Sequence, residues 1–288
     1  ASKLLGILRG IRWCERRAEM DKDNKENYMN DLLEMMRFIE NAAYEEKLVA
    51  FIDIMGMSDK ISSSKEPRDF LMYNTILYMI KRQGFERDLF QFFAFSDCMY
   101  IITDKENIQE LLLALSLLSY YMLFDNSTKN YAGISNQYVG IEKVEDCYKV
   151  RGGVTFGKVL SVPQNNVVLG KGVIEAYALE SKKAMYPRII FDDKAMEIVK
   201  EKGLSDYMGK DNDETESFYY LDFIKFISCE CGGIAHDLEC IDRIIEYVEK
   251  EWEESTKLTE KEPEKSIKLE DKLEWYINYL KKHKKTGE

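Results

Sequence analysis

Histidine is nearly missing from this chain. Only two occur in 288 residues, His236 and His283. A mechanism or a metal cluster built on imidazole has too little material here, which removes the histidine-rich metal phosphohydrolases. Excess positive charge is missing too, with 41 Lys and Arg against 52 Asp and Glu for a net charge of −11. That balance excludes the general basic footprint of a duplex nucleic-acid binder, although a local Arg/Lys cluster can still hold phosphate. Long apolar runs are lacking. The stretch LLLALSLLSYYMLF at 111–124 is too short for a membrane span and reads as a buried helix. The opening SKLLGILRGIRWCERR has no small-residue cleavage site after an apolar core, so it reads as an amphipathic helix for docking or dimer contact. The six cysteines are irregularly spaced, as expected for reduced thiols in the cytoplasm. Cys229, Cys231, His236 and Cys240 offer zinc-type ligands, but the Cys-x-Cys gap is tighter than usual. Buried thiols and a surface histidine explain them more simply, and His283 in KKHKK reads as a solvated tail.

What is present is a chain long enough for a sizeable core, with 45% hydrophobic residues and only four prolines to interrupt its elements. Residues 1–46 read as a charged helical extension. LVAFIDI (48–54) is a strand, a helix is expected over 69–82, and FQFFAFSDCMYIIT (91–103) is a hairpin turning at Ser96-Asp97. A helix follows over 106–124, then a polar loop over 125–137 and a strand, RGGVTFGKVL (151–160). Residues 165–184 run from a short strand through Gly170 and Gly172 into a helix, before a strand at 187–193 and a helix over 193–201. Asp192-Asp193 reads as a turn or a helix cap. FYYLDFIKF (218–226) reads as a strand, 234–255 as a long helix, and the tail as a charged linker with Pro263 ahead of a last amphipathic helix. Strands alternating with helices argue for an α+β or α/β architecture. The division is an extension over 1–46, a main domain over 47–228 and a helical extension over 229–288.

Two aspartates stand out. Asp53 and Asp97 each lie inside an apolar, strand-like run. A carboxylate there is costly unless it is paired or binds a cation. Asp53 leads into a glycine turn, Ile54-Met55-Gly56-Met57-Ser58, whose successive backbone N–H groups suit phosphate oxygens. Asp97 sits at a hairpin tip, where it can face Asp53 across neighbouring strands. Two carboxylates, a backbone carbonyl and phosphate oxygens make a hard site for Mg²⁺ or Mn²⁺. A pair of such ions brackets an in-line displacement at phosphorus.

The stretch Phe51-x-Asp53-Ile54-x-Gly56-x-Ser58 resembles the first metal motif of the class III nucleotidyl cyclases. Phe95-Ser96-Asp97-Cys98 resembles their second, Arg151-Gly152-Gly153-Val154-x-x-Gly157-Lys158-Val159 their arginine-led strand, and Gly170-x-x-Val173 to Leu179-Glu180-Ser181 their helix behind the active site. The four motifs stand in the family's order over residues 47–200. The resemblance implies an α+β class III nucleotidyl cyclase domain with a ferredoxin-like βαββαβ core and helical N- and C-terminal extensions. It implies that Asp53, Asp97 and the Ile54 carbonyl hold two divalent metal ions, Mn or Mg. Residues Ile54 to Ser58 would bind the β- and γ-phosphates, Arg151 would contact the triphosphate, and Arg188 would contact its terminal phosphates. It also implies a head-to-tail homodimer with the active site at the interface.

The family's helix carries an Asn and, four residues later, an Arg. Ile174 and Ala178 stand there in this chain. Phe93 and Val167 replace the Lys and Asp with which the adenylyl cyclases read a purine. The phrasing is closer to the Pycsar pyrimidine cyclases of bacterial anti-phage defence. That resemblance implies conversion of UTP to 3′,5′-cyclic UMP, with Phe93 and an aromatic such as Tyr100 or Tyr177 filling the base pocket, and a separate effector that responds to the product. CTP, ATP or GTP as substrate, and a non-catalytic nucleotide sensor, stay open as alternatives. Of Glu175 and Glu180, one is expected to face the site or both to be solvated.

Overall fold

The structure, a computed structural model, describes residues 30, 33, 43–57, 89–124, 148–162, 167–212, 217–231, 241–257 and 263–284. The chain forms two compact units, Ala1–Tyr44 and Glu45–Glu288. The elements named below belong to the second. The expected helix at 69–82, the loop at 125–137, and Ser58, His236 and Cys240 lie outside the described residues.

A continuous apolar run in β1 (Glu45–Met55) buries both of its faces. Leu48, Ala50, Ile52 and Ile54 enter the main core, whereas Val49 and Phe51 enter a smaller one on the other face. The hairpin of β2 (Gln91–Phe95) and β3 (Cys98–Thr103) lies along one side of β1, with β3 antiparallel to it. On the other side β1 pairs antiparallel with β4 (Lys149–Val162), a 14-residue strand. Between β3 and β4 the chain crosses over through α1 (Ile108–Phe124). Leu111, Leu112, Leu115 and Leu118 of α1 are fully buried, and such side chains contribute about 2 kcal/mol each. The order β2-β3-β1-β4, with α1 as crossover, is that of a ferredoxin-like core in a mixed α+β fold.

The sheet then extends through β6 (Ile189–Phe191), parallel to β4, then β8 (Ser217–Leu221) and β7 (Met208–Asn212). β5 (Val167–Leu169) pairs with the far end of β4 and leads through Gly170 into α2 (Lys171–Lys183). Gly170 has φ +136°, a conformation only glycine adopts without strain. The helix α2 lies on the smaller core, where Ala176 is buried against Val49, Phe51 and Tyr100. It packs on β4 through glycine. A Cβ on Gly153 would lie 2.7 Å from the Ala176 carbonyl oxygen and 2.8 Å from the Glu180 amide nitrogen.

Asp192 caps α3 (Asp193–Glu201), its carboxylate accepting from the Ala195 N–H at 2.9 Å, as the sequence suggests. The run 218–226 differs from expectation. The strand stops at Leu221, and Asp222 caps a helix, α4 (Phe223–Glu230), by accepting from the Lys225 N–H at 3.2 Å. Helices α5 (Ile241–Lys257) and α6 (Pro263–Lys282) complete the unit. Pro263 opens α6 rather than sitting in a linker, in keeping with proline's fit to a first helical turn. Ile244, Val248, Leu273 and Leu280 join the main core, so both helices belong to the same hydrophobic body as the sheet. His283 is not a solvated tail. Its Nε2 lies 2.9 Å from Asp222 Oδ1, and its ring meets Tyr279 at 5.0 Å.

Candidate active site

Register places one row of side chains across the small-core face of the sheet. Asp53 is opposite Cys98 on β3 and opposite Arg151 on β4, while Cys98 is opposite Phe95 on β2. Ser96, with φ 52°, makes the hairpin turn before Asp97. The Ile54 N–H then donates to the Asp97 carbonyl at 3.2 Å and ties the hairpin tip to the end of β1. Asp53, Asp97 and Cys98 thereby bring three ligand-capable atoms within 4.8 Å of one another. The two aspartates singled out in the sequence do meet.

The Cys98 thiol lies 3.4 Å from Asp53 Oδ1 and 3.9 Å from Asp97 Oδ1. Burial first, then the Asp53 carboxylate, push its pKa up to about 12 in the metal-free protein. The two carboxylates supply hard oxygen donors, which fit a cation such as Mg²⁺ or Mn²⁺.

Arg151 sits beside the aspartates. Its Nε is 2.8 Å from Asp53 Oδ2 and 2.7 Å from Glu180 Oε1. Glu180 is only 3% exposed, and burial raises its pKa although Arg151 opposes the shift. Of the two α2 glutamates, Glu180 is thus the one turned toward the site. Glu175 pairs instead with Lys171 at 3.3 Å and Lys194 at 3.0 Å. Burial pushes its pKa up, but the two lysines hold it below the usual carboxylate range. The sequence signal for Glu180 is slight. It stands four residues after buried Ala176, on the α2 face that meets Gly153.

Other expected residues fare differently. Gly56 has φ +78° and open space where a Cβ would stand, so the turn after Asp53 is accessible at that point. The Ile54 N–H is already taken by Asp97, Ile54 and Met57 are buried in the main core, and Met55 is half-buried. The expectation of a phosphate cradle beginning at the Ile54 N–H is corrected accordingly. Phe93 is 2% exposed in the small core, opposite Tyr100. It packs beneath the surface. The exposed aromatics nearby are Phe95 and Tyr177, whose rings lie 6.4 Å and 5.3 Å from that of Phe51. Ile174 and Val167 are exposed and Ala178 is half-buried.

Arg188 is not brought to the aspartates. Its guanidinium is buried and bound to Asp211, which also accepts from Trp275 Nε1 at 2.8 Å. The rings of Tyr186, Phe218, Tyr220 and Trp275 surround it. In this geometry it joins α6 to β6, β7 and β8, and its contacts do not include Asp53, Asp97 or Arg151. Of the zinc-type residues, Cys229 is exposed and Cys231 is half-buried.

No protein-family model matches the chain, and no curated protein matches it. Among solved structures, the adenylyl cyclase CyaB from P. aeruginosa is similar over 63% of this chain and 95% of its own, at 14% identity and a TM-score of 0.43. The monomeric guanylyl cyclase domain of the RhoGC fusion protein from the aquatic fungus Blastocladiella emersonii is similar over 62% and 95%, at 17% identity and a TM-score of 0.42. A bacterial light-regulated adenylyl cyclase is similar over 65% and 96%, at 14% identity and a TM-score of 0.43. At such scores these likenesses say nothing of substrate or activity.

Proposed function

We propose that this protein is a nucleotidyl cyclase of the class III kind that converts UTP to 3′,5′-cyclic UMP and pyrophosphate. The observation that carries the reading is the meeting of Asp53 and Asp97 beside Arg151, with carboxylate oxygens and the Cys98 sulfur within 4.8 Å. The order of the four cyclase-like motifs supports it. Asp53 and Asp97, helped by the Ile54 carbonyl, hold divalent ions, two by the family's pattern and Mg²⁺ or Mn²⁺ by the donor chemistry. When bound, such ions acidify the ribose 3′-hydroxyl and offset charge on the pyrophosphate leaving group. Arg151 exchanges Asp53 for phosphate oxygens, its planar fork suiting them, while Glu180 keeps it aimed. The open turn at Gly56 leaves room for the phosphate chain.

Pyrimidine choice rests on what is missing. Phe93 and Val167 offer no hydrogen bond to a purine edge, and uracil is preferred over cytosine by the Pycsar resemblance alone. On the same resemblance the product signals phage infection to a separate effector in the cytoplasm. No helix among the described residues is long and apolar enough to cross a membrane. A homodimer is part of the reading. Ile174, 68% exposed, and Tyr177, 52% exposed, stand on the outer face of α2, and a second copy covers them. Exposed Ile174 at the family's Asn position favours one rival, a sensor that binds nucleotide without turnover.

Incubation with ATP, GTP, CTP or UTP and Mn²⁺, beside an Asp53→Ala/Asp97→Ala control, tests the proposal by product mass and retention. Cyclic UMP from the wild type alone is the expected outcome. A cyclic purine would overturn the pyrimidine reading. Triphosphate binding with no product from any nucleotide would establish the sensor.

A further inference from the structure

The C-terminal helix approaches the aspartate site with a cation that the motifs do not contain. Trp275 of α6 stacks on Tyr186 at 5.7 Å and donates to Asp211, while Tyr276 lines a small cavity with Val150, Arg188 and Ile189. Val150 precedes Arg151 and pairs with Ile54, so these contacts lie at the end of the sheet where β4 begins and β1 ends. Lys272 stands three residues before Trp275 and four before Tyr276, hence on the same face of α6. Its side chain is half-buried, and the charges acting on it are those of Arg151, Lys268, Asp53 and Glu180. No carboxylate among the described residues forms an ion pair with it.

The α6 face that carries Lys272 is held at the end of β4 next to Arg151 by Trp275 and Tyr276. Burial, then Arg151 and Lys268, lower the Lys272 pKa from the ordinary lysine range, with Asp53 and Glu180 opposing the shift. A polyanion bound between Lys272 and Arg151 offsets both positive charges and adds charge-assisted hydrogen bonds. Arg188, the other cation expected for the terminal phosphates, is occupied by Asp211.

We propose that Lys272 is a triphosphate-binding residue, delivered by α6 to the outer end of the site formed by Asp53, Asp97 and Arg151. The inference rests on the nucleotide reading above and deepens it. It makes the C-terminal helices part of the site rather than an appendage, with the Arg188–Asp211–Trp275 contact as the mooring that sets the helix in place.

The test is calorimetric titration of inorganic triphosphate and of UMP, each with Mg²⁺, into the wild type, Lys272→Ala and Lys272→Arg. Triphosphate should bind Lys272→Ala about tenfold more weakly, the scale of one charge-assisted contact, with UMP unchanged and Lys272→Arg near the wild type. If Lys272→Ala melts early, Lys272→Gln keeps the stem and carries the same comparison. Equal triphosphate affinity in the wild type and the folded variant overturns the proposal and leaves cyclase activity standing. Loss of affinity in the variant, from a wild type that makes no cyclic product, upholds the proposal and overturns the cyclase. A wild type that binds no triphosphate overturns both.

Discussion

Gly153 sets the depth at which α2 rests on β4, and with it the place of Glu180 above Arg151. A methyl group there would lie 2.7 Å from the Ala176 carbonyl oxygen and 2.8 Å from both the Glu180 nitrogen and Leu179 Cβ. Two of those atoms are helix backbone, so relief requires the whole helix to lift. Gly153→Ala should therefore cost about 2 kcal/mol, within the range for overpacked sites, measured as a lowered denaturation midpoint in urea. The Arg151 contact to Glu180 should loosen with it, and triphosphate affinity should fall even in conditions where the variant is fully folded. Unchanged affinity in the folded variant would show that Arg151 is placed by Asp53 alone. At this scale the sequence was legible where chemistry and periodicity agreed. Asp53 and Asp97 are conspicuous as charges in apolar strands, and they meet. Arg188 was misleading because its partner, Asp211, lies 23 positions on and reaches it through the fold. Nothing local distinguishes an arginine held by a carboxylate and four rings from one waiting for phosphate.

At the scale of elements, the long apolar strand β1 and the apolar crossover helix were plain, because each is a continuous apolar run buried on more than one face. The run FYYLDFIKF was not, since a short apolar stretch suits a strand or a buried helix equally. The deciding residue is Asp222, which ends one element and caps the next. It also accepts from the Tyr279 hydroxyl at 3.1 Å and lies 2.9 Å from His283 Nε2, so it joins α4 to the last turn of α6. KKHKK read as a solvated tail because its charge pattern hides this one inward-facing ring. Burial alone would raise the Asp222 pKa, but His283 and the hydrogen bonds from Lys225 and Tyr279 hold it below the usual 3.8. A carboxyl with a depressed folded pKa contributes stability that is present above its unfolded value and lost as pH falls toward its folded one. Melting temperature should thus drop as pH is lowered from near 3.8 down through the depressed folded value. Asp222→Asn should be less stable than the wild type by about 2 kcal/mol at pH 7, and the gap should close in acid. A gap that stays constant with pH would mean that cap geometry, not charge, carries the stabilisation.

For the molecule as a whole, the unusual feature is apolar surface beside a charged site. Ile174, Tyr177 and Phe95 are each more than half exposed, and Leu169, 54% exposed, ends β5 just ahead of α2. Scattered singly, such residues need no explanation. Here Phe95 and Tyr177 both approach Phe51, which lies two residues from Asp53, so the apolar surface borders the row that holds Asp53. In the proposed dimer a second copy would exclude water from that surface and would seal the proposed phosphate site with it, which would strengthen every charge interaction inside. Dimerisation and turnover should therefore be coupled. Ile174→Lys places a charge on the exposed face of α2, where it has little effect on the folded monomer. Sedimentation should show the wild type as a dimer and Ile174→Lys as a monomer at the same micromolar concentration, with melting shifted only by the loss of association. Activity per chain should rise with concentration for the wild type in the range where it dimerises, and should stay low for the variant throughout. A variant that is monomeric yet fully active would separate the patch from the chemistry, and would mean that one chain holds every group the reaction needs.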